Sequence, residues 1–284
     1  MGGIRESVSR GAGETGGAAG GDAGGDAGGD AAPVQVARDG AVATVWLNRP
    51  KSYNALSEAV LAHLGAAFET LGGDAAVRVV VLAARGSAFC AGHDLREMRA
   101  TPSDDYYRQL FDRCTRVMTA IRAMPQPVIA RVQGLATAAG CQLVASCDLA
   151  VASEDARFAV SGVNLGLFCS TPSVALSRNV LRKQAFEMLV TGEFIDARQA
   201  MAWGLVNRVT PAGSLDAEVD LLARSILAKP EVAVRMGKDL FYRQLEMGTA
   251  AAYQLAGQTM ACNMMDESAL AGIQAFLDKR SGSR

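Results

Sequence analysis

The sequence has very little net charge and no long hydrophobic run, and both absences limit what the protein can do. Its formal charge is −1 over 284 residues, whereas surfaces that bind nucleic acid or anionic membranes are strongly basic. No apolar stretch reaches the ~18 residues needed to span a bilayer. The first residues contain no hydrophobic signal-peptide region. We therefore expect no nucleic-acid partner and no membrane partner.

Metal-ligand spacing is also missing among the six cysteines. Most of them lie in apolar surroundings, which is typical of reduced thiols that serve as small core residues. Such thiols are usual in compartments where disulfides do not form. We expect no metal site and a cytoplasmic location.

Residues 1–32 lack periodic apolar side chains and are rich in glycine, with Gly-Gly-Asp-Ala repeated three times from Gly20. Such a segment cannot bury enough surface to offset its chain entropy, so we predict a disordered tail. A phosphate-binding P-loop is excluded because no Gly-Lys-Ser/Thr follows the glycines.

The rest of the chain is apolar enough for a large core, since 50% of all residues are hydrophobic. Predicted strands alternate with helices at first, and from about Ser173 the pattern is mostly helical. This order predicts an α/β fold, with a core over residues 33–210 and a helical C-terminal part over residues 211–284. The predicted strands are 42–47, 77–84, 127–132, 149–152 and 205–209; the predicted helices are 57–71, with Ser57 as N-cap, 104–122 and 138–146.

Two turns that follow predicted strands carry the strongest functional signal. In residues 134–148, small residues crowd a turn that enters a helix, and residues 89–95 form a second turn after another strand. Turns of this kind point backbone N–H groups at a ligand, and a helix N-terminus adds positive potential. Two such turns can hold one carbonyl oxygen between them, which makes an oxyanion hole.

Four motifs in a fixed order resemble the enoyl-CoA hydratase/isomerase (crotonase) superfamily over roughly residues 33–280. The motifs are residues 48–56, 89–95, 134–148, and 189–193 together with 200–206. The resemblance implies a crotonase-like spiral of ββα units with a helical C-terminal trimerisation part. It also implies a homotrimer or a dimer of trimers, an acyl-CoA ligand, and no cofactor beyond the coenzyme A of that thioester.

In the family, two backbone N–H groups hold the thioester carbonyl, and matching the motifs places them on His93 and Ala139. The resemblance implies that coenzyme A lies along both turns and the loop before them. It also implies that a neighbouring subunit supplies a phosphate-contacting lysine, here Lys279. The implied substrate-binding residues are Lys51, Ser52, Tyr53, Ala55, Ala91, Gly92, Asp94, Leu95, Arg96, Leu135, Ala138 and Lys279.

The chain departs from the family at the two glutamates that carry hydration. Matching the motifs places them at Gln142 and Gly162. Hydration needs a base that activates water and an acid that protonates the α-carbon. A glutamine cannot take a proton from water, and a glycine has no side chain to act. The sequence therefore predicts an oxyanion hole without the hydratase pair.

Two alternatives to a hydratase stay open. One is a non-catalytic acyl-CoA-binding or regulatory member. The other is an acyl-CoA decarboxylase, because methylmalonyl-CoA decarboxylase resembles this chain at Gly-His-Asp (residues 92–94) and Val-Asn-Leu-Gly (residues 163–166). The tyrosine that the decarboxylase has just beyond the second of these runs would match Cys169 here. The side chain of His93 either faces the substrate or has no role beside the backbone donor. Asp94 and Asp148 close motifs shared by members with different chemistries, which predicts capping or turn roles.

Overall fold

The structure is a computed structural model that describes residues 32–281. The predicted glycine-rich tail lies outside the described residues, apart from Ala32. Among the helices described, none is long and apolar enough to cross a membrane. No group of three or more His, Cys, Asp or Glu side chains within residues 32–281 is placed to hold a metal ion.

Strands form two sheets. The larger sheet has the order β1-β2-β3-β5-β7-β10 and the smaller one the order β4-β6-β8-β9. The strands are β1 (Val34–Asp39), β2 (Val42–Leu47), β3 (Val79–Ala84), β4 (Ala88–Cys90), β5 (Val128–Val132), β6 (Leu135–Thr137), β7 (Leu149–Ser153), β8 (Arg157–Ala159), β9 (Ile195–Asp196) and β10 (Arg208–Thr210).

Helices follow pairs of strands, and helices alone follow the last strand. The helices are α1 (Glu58–Gly72), α2 (Leu95–Ala100), α3 (Asp104–Ala123), α4 (Ala139–Ser146), α5 (Ser170–Leu176), α6 (Arg182–Thr191), α7 (Ala197–Ala202), α8 (Leu215–Leu227), α9 (Glu231–Leu245), α10 (Thr249–Met264) and α11 (Glu267–Ser281). The predicted boundary between residues 33–210 and 211–284 stays a prediction.

The topology is a repeat of ββα units. In the units that begin with β3, β5 and β7, the first strand joins the larger sheet and the second joins the smaller one. The first strands pair in parallel, for example Val81 with Ile129 and Ile129 with Leu149. All six residues of β3 are buried, as expected for a strand covered on both faces. The predicted α/β fold with a spiral of ββα units is confirmed.

Two apolar clusters cover the two faces of the larger sheet. The larger cluster packs α1, α3 and α4 against one face. The smaller one packs Leu215, Val219 and Leu222 of α8 against Val79 and Val151 on the other face. The larger sheet is thus covered by apolar side chains on both faces.

Most predicted elements are confirmed to within two residues, and Ser57 does cap α1, because its Oγ accepts the Val60 N–H at 3.2 Å. The predicted strand 205–209 is wrong over its first three residues, since β10 begins at Arg208. Leu205 and Val206 are buried in the turn after α7, where Leu205 N–H donates to Ala200 O at 2.9 Å. Their apolar character reflects burial in a turn rather than a strand.

Candidate active site

Two turns, one at the carboxyl end of β4 and one at that of β6, lie against each other. The strands pair in parallel, so both turns leave the same edge of the smaller sheet. Gly92 has φ +91°, and a Cβ there would lie 3.0 Å from Ala138 Cβ and 3.3 Å from Ala139 N. Ala138 itself has φ 50° and ψ −120°, which a residue with a side chain rarely adopts. The contact therefore needs glycine at position 92 and a strained backbone at position 138.

The backbone N–H groups of His93 and Ala139 follow these two strained positions. Within residues 32–281, neither N–H has a hydrogen-bond acceptor. Ala139 is the first residue of α4, and no side chain caps the N-terminus of this helix. The helix dipole adds positive potential at the Ala139 N–H. Two free donors in adjoining turns suit a carbonyl oxygen that gains negative charge during a reaction.

Hydrogen bonds fix the loop before α1 to the first of these turns. Leu56 N–H donates to Gly92 O at 2.7 Å, and Ala91 N–H donates to Tyr53 O at 3.0 Å. The buried Asn54 side chain donates at 2.8 Å to two backbone carbonyls, one just before β4 and one within it. The loop and the first turn therefore form one hydrogen-bonded frame.

The frame borders a cavity of about 750 Å³. Four predicted residues do not line it: Gly92 packs against the Ala138 turn, Leu135 lies in β6, Gln142 is buried in α4, and Lys279 lies on α11. The predicted residues that do line the cavity are Lys51, Ser52, Tyr53, Ala55, Ala91, His93, Asp94, Leu95, Arg96, Ala138, Ala139 and Gly162.

The two positions that the resemblance assigns to glutamates are both packed tightly. Gln142 lies one turn after Ala139, and its buried Oε1 has no hydrogen-bond partner. Gly162 N–H donates to Cys169 Sγ at 3.3 Å, and a Cβ on Gly162 would lie only 2.5 Å from Leu167 O. A side chain at position 162 would therefore displace the segment that follows it.

His93 is a neutral ring at the edge of the cavity. Its ring packs edge-on against Phe111, with centroids 5.5 Å apart, and its Nε2 is buried without a hydrogen-bond partner. Burial lowers the pKa of His93 from 6.5 to about 4, because the charged form loses hydration. The ring therefore carries no charge near neutral pH.

Both carboxylates that line the cavity are already engaged. Asp94 pairs with Arg49 at 3.2 Å and caps α2 by accepting the Arg96 N–H at 3.1 Å, so its predicted capping role is confirmed. Glu97 accepts the Glu58 N–H at 2.9 Å. Both carboxylates of the cavity lining therefore accept hydrogen bonds from the N-terminal backbone of α1 or α2.

Asp148 has a structural role, but not the predicted capping or turn role. It accepts the Val128 N–H at 2.6 Å, and its carboxylate contacts Lys238 Nζ and Tyr242 OH, each at 2.7 Å. Lys238 is buried and also donates to the Ile121 carbonyl at 2.9 Å. The network fastens α9 to the start of β7.

Sequence reasoning missed the apolar part of the cavity lining. Leu165, Leu167 and Phe168 line the cavity while remaining exposed, and Met98 and Phe111 line it as well. The sequence signal for this lining was the apolar run at residues 165–168, which has neither a helical nor a strand period. Apolar residues in a turn do not form the packed face of a helix or strand.

Comparison with known proteins identifies the family. Residues 37–283 match the enoyl-CoA hydratase/isomerase family. This chain belongs to that family. The human enoyl-CoA hydratase domain-containing protein 3, mitochondrial, is 44% identical over 248 residues, covering 87% of this chain and 82% of the relative. Its Xenopus laevis counterpart is 43% identical over 243 residues, covering 86% and 83%.

Solved structures of the enoyl-CoA hydratase/isomerase family share the fold. The crystal structure of an enoyl-CoA hydratase from Mycobacterium smegmatis is 65% identical, with a TM-score of 0.86, and the match covers 87% of this chain and 96% of that one. Residues 134–148 resemble enoyl-CoA hydratase domain-containing protein 3, and the similarity to its Xenopus laevis and human forms extends over 86% and 87% of this chain.

The expected cytoplasmic location is wrong. The human and Xenopus laevis relatives in the enoyl-CoA hydratase/isomerase family are both named as mitochondrial proteins. The inference failed because it rested on cysteine chemistry. Five of the six cysteines are indeed buried and unpaired, but such thiols exclude only compartments where disulfides form.

Proposed function

We propose that this chain binds an acyl-CoA thioester and stabilises its enolate between the N–H groups of His93 and Ala139. The observation that supports this most is that the two N–H groups lie in adjoining turns, lack acceptors, and border a cavity. The backbone strain at Ala138 is consistent with a ligand-binding role, because strained residues concentrate at such sites. Coenzyme A would lie along Lys51, Tyr53 and Arg96.

Hydration is slow in this proposal because both glutamates that serve as acid and base in the family are replaced. The positions of the family glutamates hold Gln142 and Gly162, and the two carboxylates that line the cavity are held by other groups. Each missing acid or base lowers the rate by ~10²–10⁴. The same observation supports a second candidate, a non-catalytic acyl-CoA-binding or regulatory protein.

We also propose a homotrimer or a dimer of trimers, on the family resemblance and on the surface of α10 and α11. Tyr253, Met260 and Met265 are 77%, 70% and 76% exposed, and covering large apolar side chains favours association. In that assembly Lys279 of a neighbouring copy would contact a phosphate of coenzyme A.

Removing one N–H donor tests the proposed site directly. Ala139→Pro deletes the donor at the first position of α4, where proline suits the helix, and Ala139→Ser keeps it as a matched control. Infrared difference spectra of bound acetyl-CoA should show a thioester carbonyl stretch lowered in the wild type and the serine variant. The proline variant should show a stretch close to that of free acetyl-CoA, with melting temperature checked for both variants.

Activity assays then separate the two candidates. Crotonyl-CoA hydration should be absent or slower by orders of magnitude than in a family member with both glutamates. Measurable methylmalonyl-CoA decarboxylation would support enolate chemistry, whereas binding without any turnover would support the binding protein. Ordinary hydratase rates, or no binding of any acyl-CoA, would contradict the proposal.

A further inference from the structure

A second, smaller cavity lies at the amino-terminal ends of β3 and β5. Its volume is about 150 Å³, and it shares no lining residue with the cavity of the candidate active site. Arg78 and Gln126 line it just before these two strands, and Glu231, Val234 and Arg235 line it from the first turns of α9. The cavity therefore joins the starts of two strands to the start of a helix.

The amide of Gln126 is held in place but leaves its oxygen unused. Gln126 is 6% exposed, and its Nε2 donates to two backbone carbonyls, at 2.9 Å and 3.3 Å. Its Oε1 is buried and has no hydrogen-bond partner within the described residues. A buried acceptor of this kind costs free energy until a donor reaches it. The cavity thus offers a fixed acceptor to a ligand.

Arg78 supplies the complementary donor. Its two terminal nitrogens donate to the carbonyls of Leu227 and Lys229, at 3.2 Å and 2.6 Å. Its Nε is buried and also lacks a partner within residues 32–281. Since a guanidinium carries its charge at all ordinary pH values, this donor is cationic. One donor and one acceptor, both buried and both unused, therefore line the same small cavity.

Charges of both signs lie on the first turns of α9. Glu231 and Arg235 are exposed, and neither has an ion-pair partner among the residues described. No side chain caps the N-terminus of α9, so the helix dipole adds positive potential there. A carboxylate suits the two arginines, and an ammonium group suits Glu231 and the unused oxygen of Gln126.

We propose that this cavity binds a small α-amino acid such as glycine or alanine. Its carboxylate accepts from Arg78 and Arg235, and its ammonium group donates to Gln126 Oε1 and faces Glu231. A volume of 150 Å³ equals that of about five water molecules, which suits a ligand of about five or six heavy atoms. The bound amino acid links α9 to the starts of β3 and β5 and so raises the melting temperature.

Calorimetry and thermal melts on the full chain test this site. Glycine and L-alanine should bind with a Kd of about 1 mM, because ligands of this size make few contacts. L-leucine is too large for the cavity. Acetate and methylamine each carry only one of the two charges, and trimethylglycine carries both but has no N–H to donate. All four should bind at least about tenfold more weakly and leave the melting temperature unchanged.

Variants then locate the binding. Gln126→Leu removes the buried acceptor and should abolish glycine binding, with its melting temperature checked. Arg235→Gln and Glu231→Gln change exposed side chains, and each should weaken glycine binding by about two- to fivefold. Arg243→Gln is the matched control, because Arg243 is an exposed arginine on the same helix that does not line the cavity.

The possible outcomes each decide the proposal. Acetate binding as tightly as glycine would reveal a site for anions and overturn the assignment to amino acids. No glycine binding at many times the expected Kd, or binding that Arg235→Gln and Glu231→Gln leave at the wild-type value, would overturn the site itself. None of these measurements uses a thioester, so they remain decisive even if the proposed function fails.

Discussion

We expect the half-buried ring of His93 to give folding stability a pH dependence of its own. Burial holds its pKa at about 4 in the folded protein, whereas an unfolded chain has an ordinary histidine pKa near ~6.5. Below about pH 6.5 the unfolded state therefore binds a proton that the folded state does not. We expect the free energy of unfolding attributable to His93 to be constant above that pH and to fall by at most about 3 kcal/mol towards pH 4.

Urea unfolding at pH 7, 5.5 and 4.5 measures this contribution as the difference between wild type and His93→Gln. The glutamine variant should lose less stability on acidification than the wild type. His63→Gln serves as the control for removal of a histidine, because His63 is exposed on α1. Parallel profiles for wild type and His93→Gln would show that the ring is solvated.

The Asp148 network consists of long-range contacts that the sequence does not reveal. Its place at the end of a motif predicts a capping or turn role for Asp148, whereas the carboxylate in fact joins the start of β5 to α9. Its partners Lys238 and Tyr242, however, lie 90 and 94 residues further along the chain. A lysine in an amphipathic helix is normally a solvated charge, so only the folded structure reveals that this one is buried and paired.

Close approach of α4 to β4 is the element-scale feature on which the site depends. A Cβ at Gly140 would lie 2.0 Å from Cys90 O and 2.8 Å from Cys90 Cβ, so alanine there must push the helix away from the strand. We expect Gly140→Ala to lower stability by about 1–3 kcal/mol and to weaken acyl-CoA binding, because Ala139 N–H moves with the helix.

Gly65→Ala in α1 is the matched helical control. A Cβ at Gly65 has no heavy atom within 4 Å, so alanine should stabilise the helix by about 0.5–1 kcal/mol and leave binding unchanged. Thermal melts measure the stability of both variants, and calorimetry measures their acyl-CoA binding. Wild-type binding by Gly140→Ala would mean that the position of α4 does not control the proposed oxyanion hole.

Long elements could be predicted from the sequence, and short ones could not. Buried β-branched runs and amphipathic helices have strong periods, so β2, β3, β5 and α3 are nearly as predicted. The strands β4, β6 and β8 have three residues each, too few to show a period, and they exist because they pair with one another. The two turns that precede His93 and Ala139 could be predicted from their small residues. The cavity-lining residues Leu165, Leu167 and Phe168 could not, because a turn has no periodic pattern.

At the scale of the whole molecule, α10 and α11 contribute no buried side chain within the part of the chain that the structure describes. Within residues 32–281, α10 has no buried residue, although Tyr253, Met260 and Met265 place apolar side chains on or next to it. A helix of this kind is stabilised mainly by packing against something else. In the proposed assembly that partner is a second copy of the chain.

Replacing Met260 by aspartate tests this assembly. A charge at the centre of an apolar interface is costly unless it is paired, so Met260→Asp should shift the mass in light scattering from trimer or hexamer towards monomer and lower the melting temperature. Val36→Asp is the matched control, because Val36 is 48% exposed on β1, at the edge of the larger sheet, and the variant should keep the wild-type mass.

If Lys279 of a neighbouring copy contacts coenzyme A, the Met260→Asp monomer should also bind acyl-CoA more weakly. A wild-type protein that is monomeric at micromolar concentration would contradict both expectations.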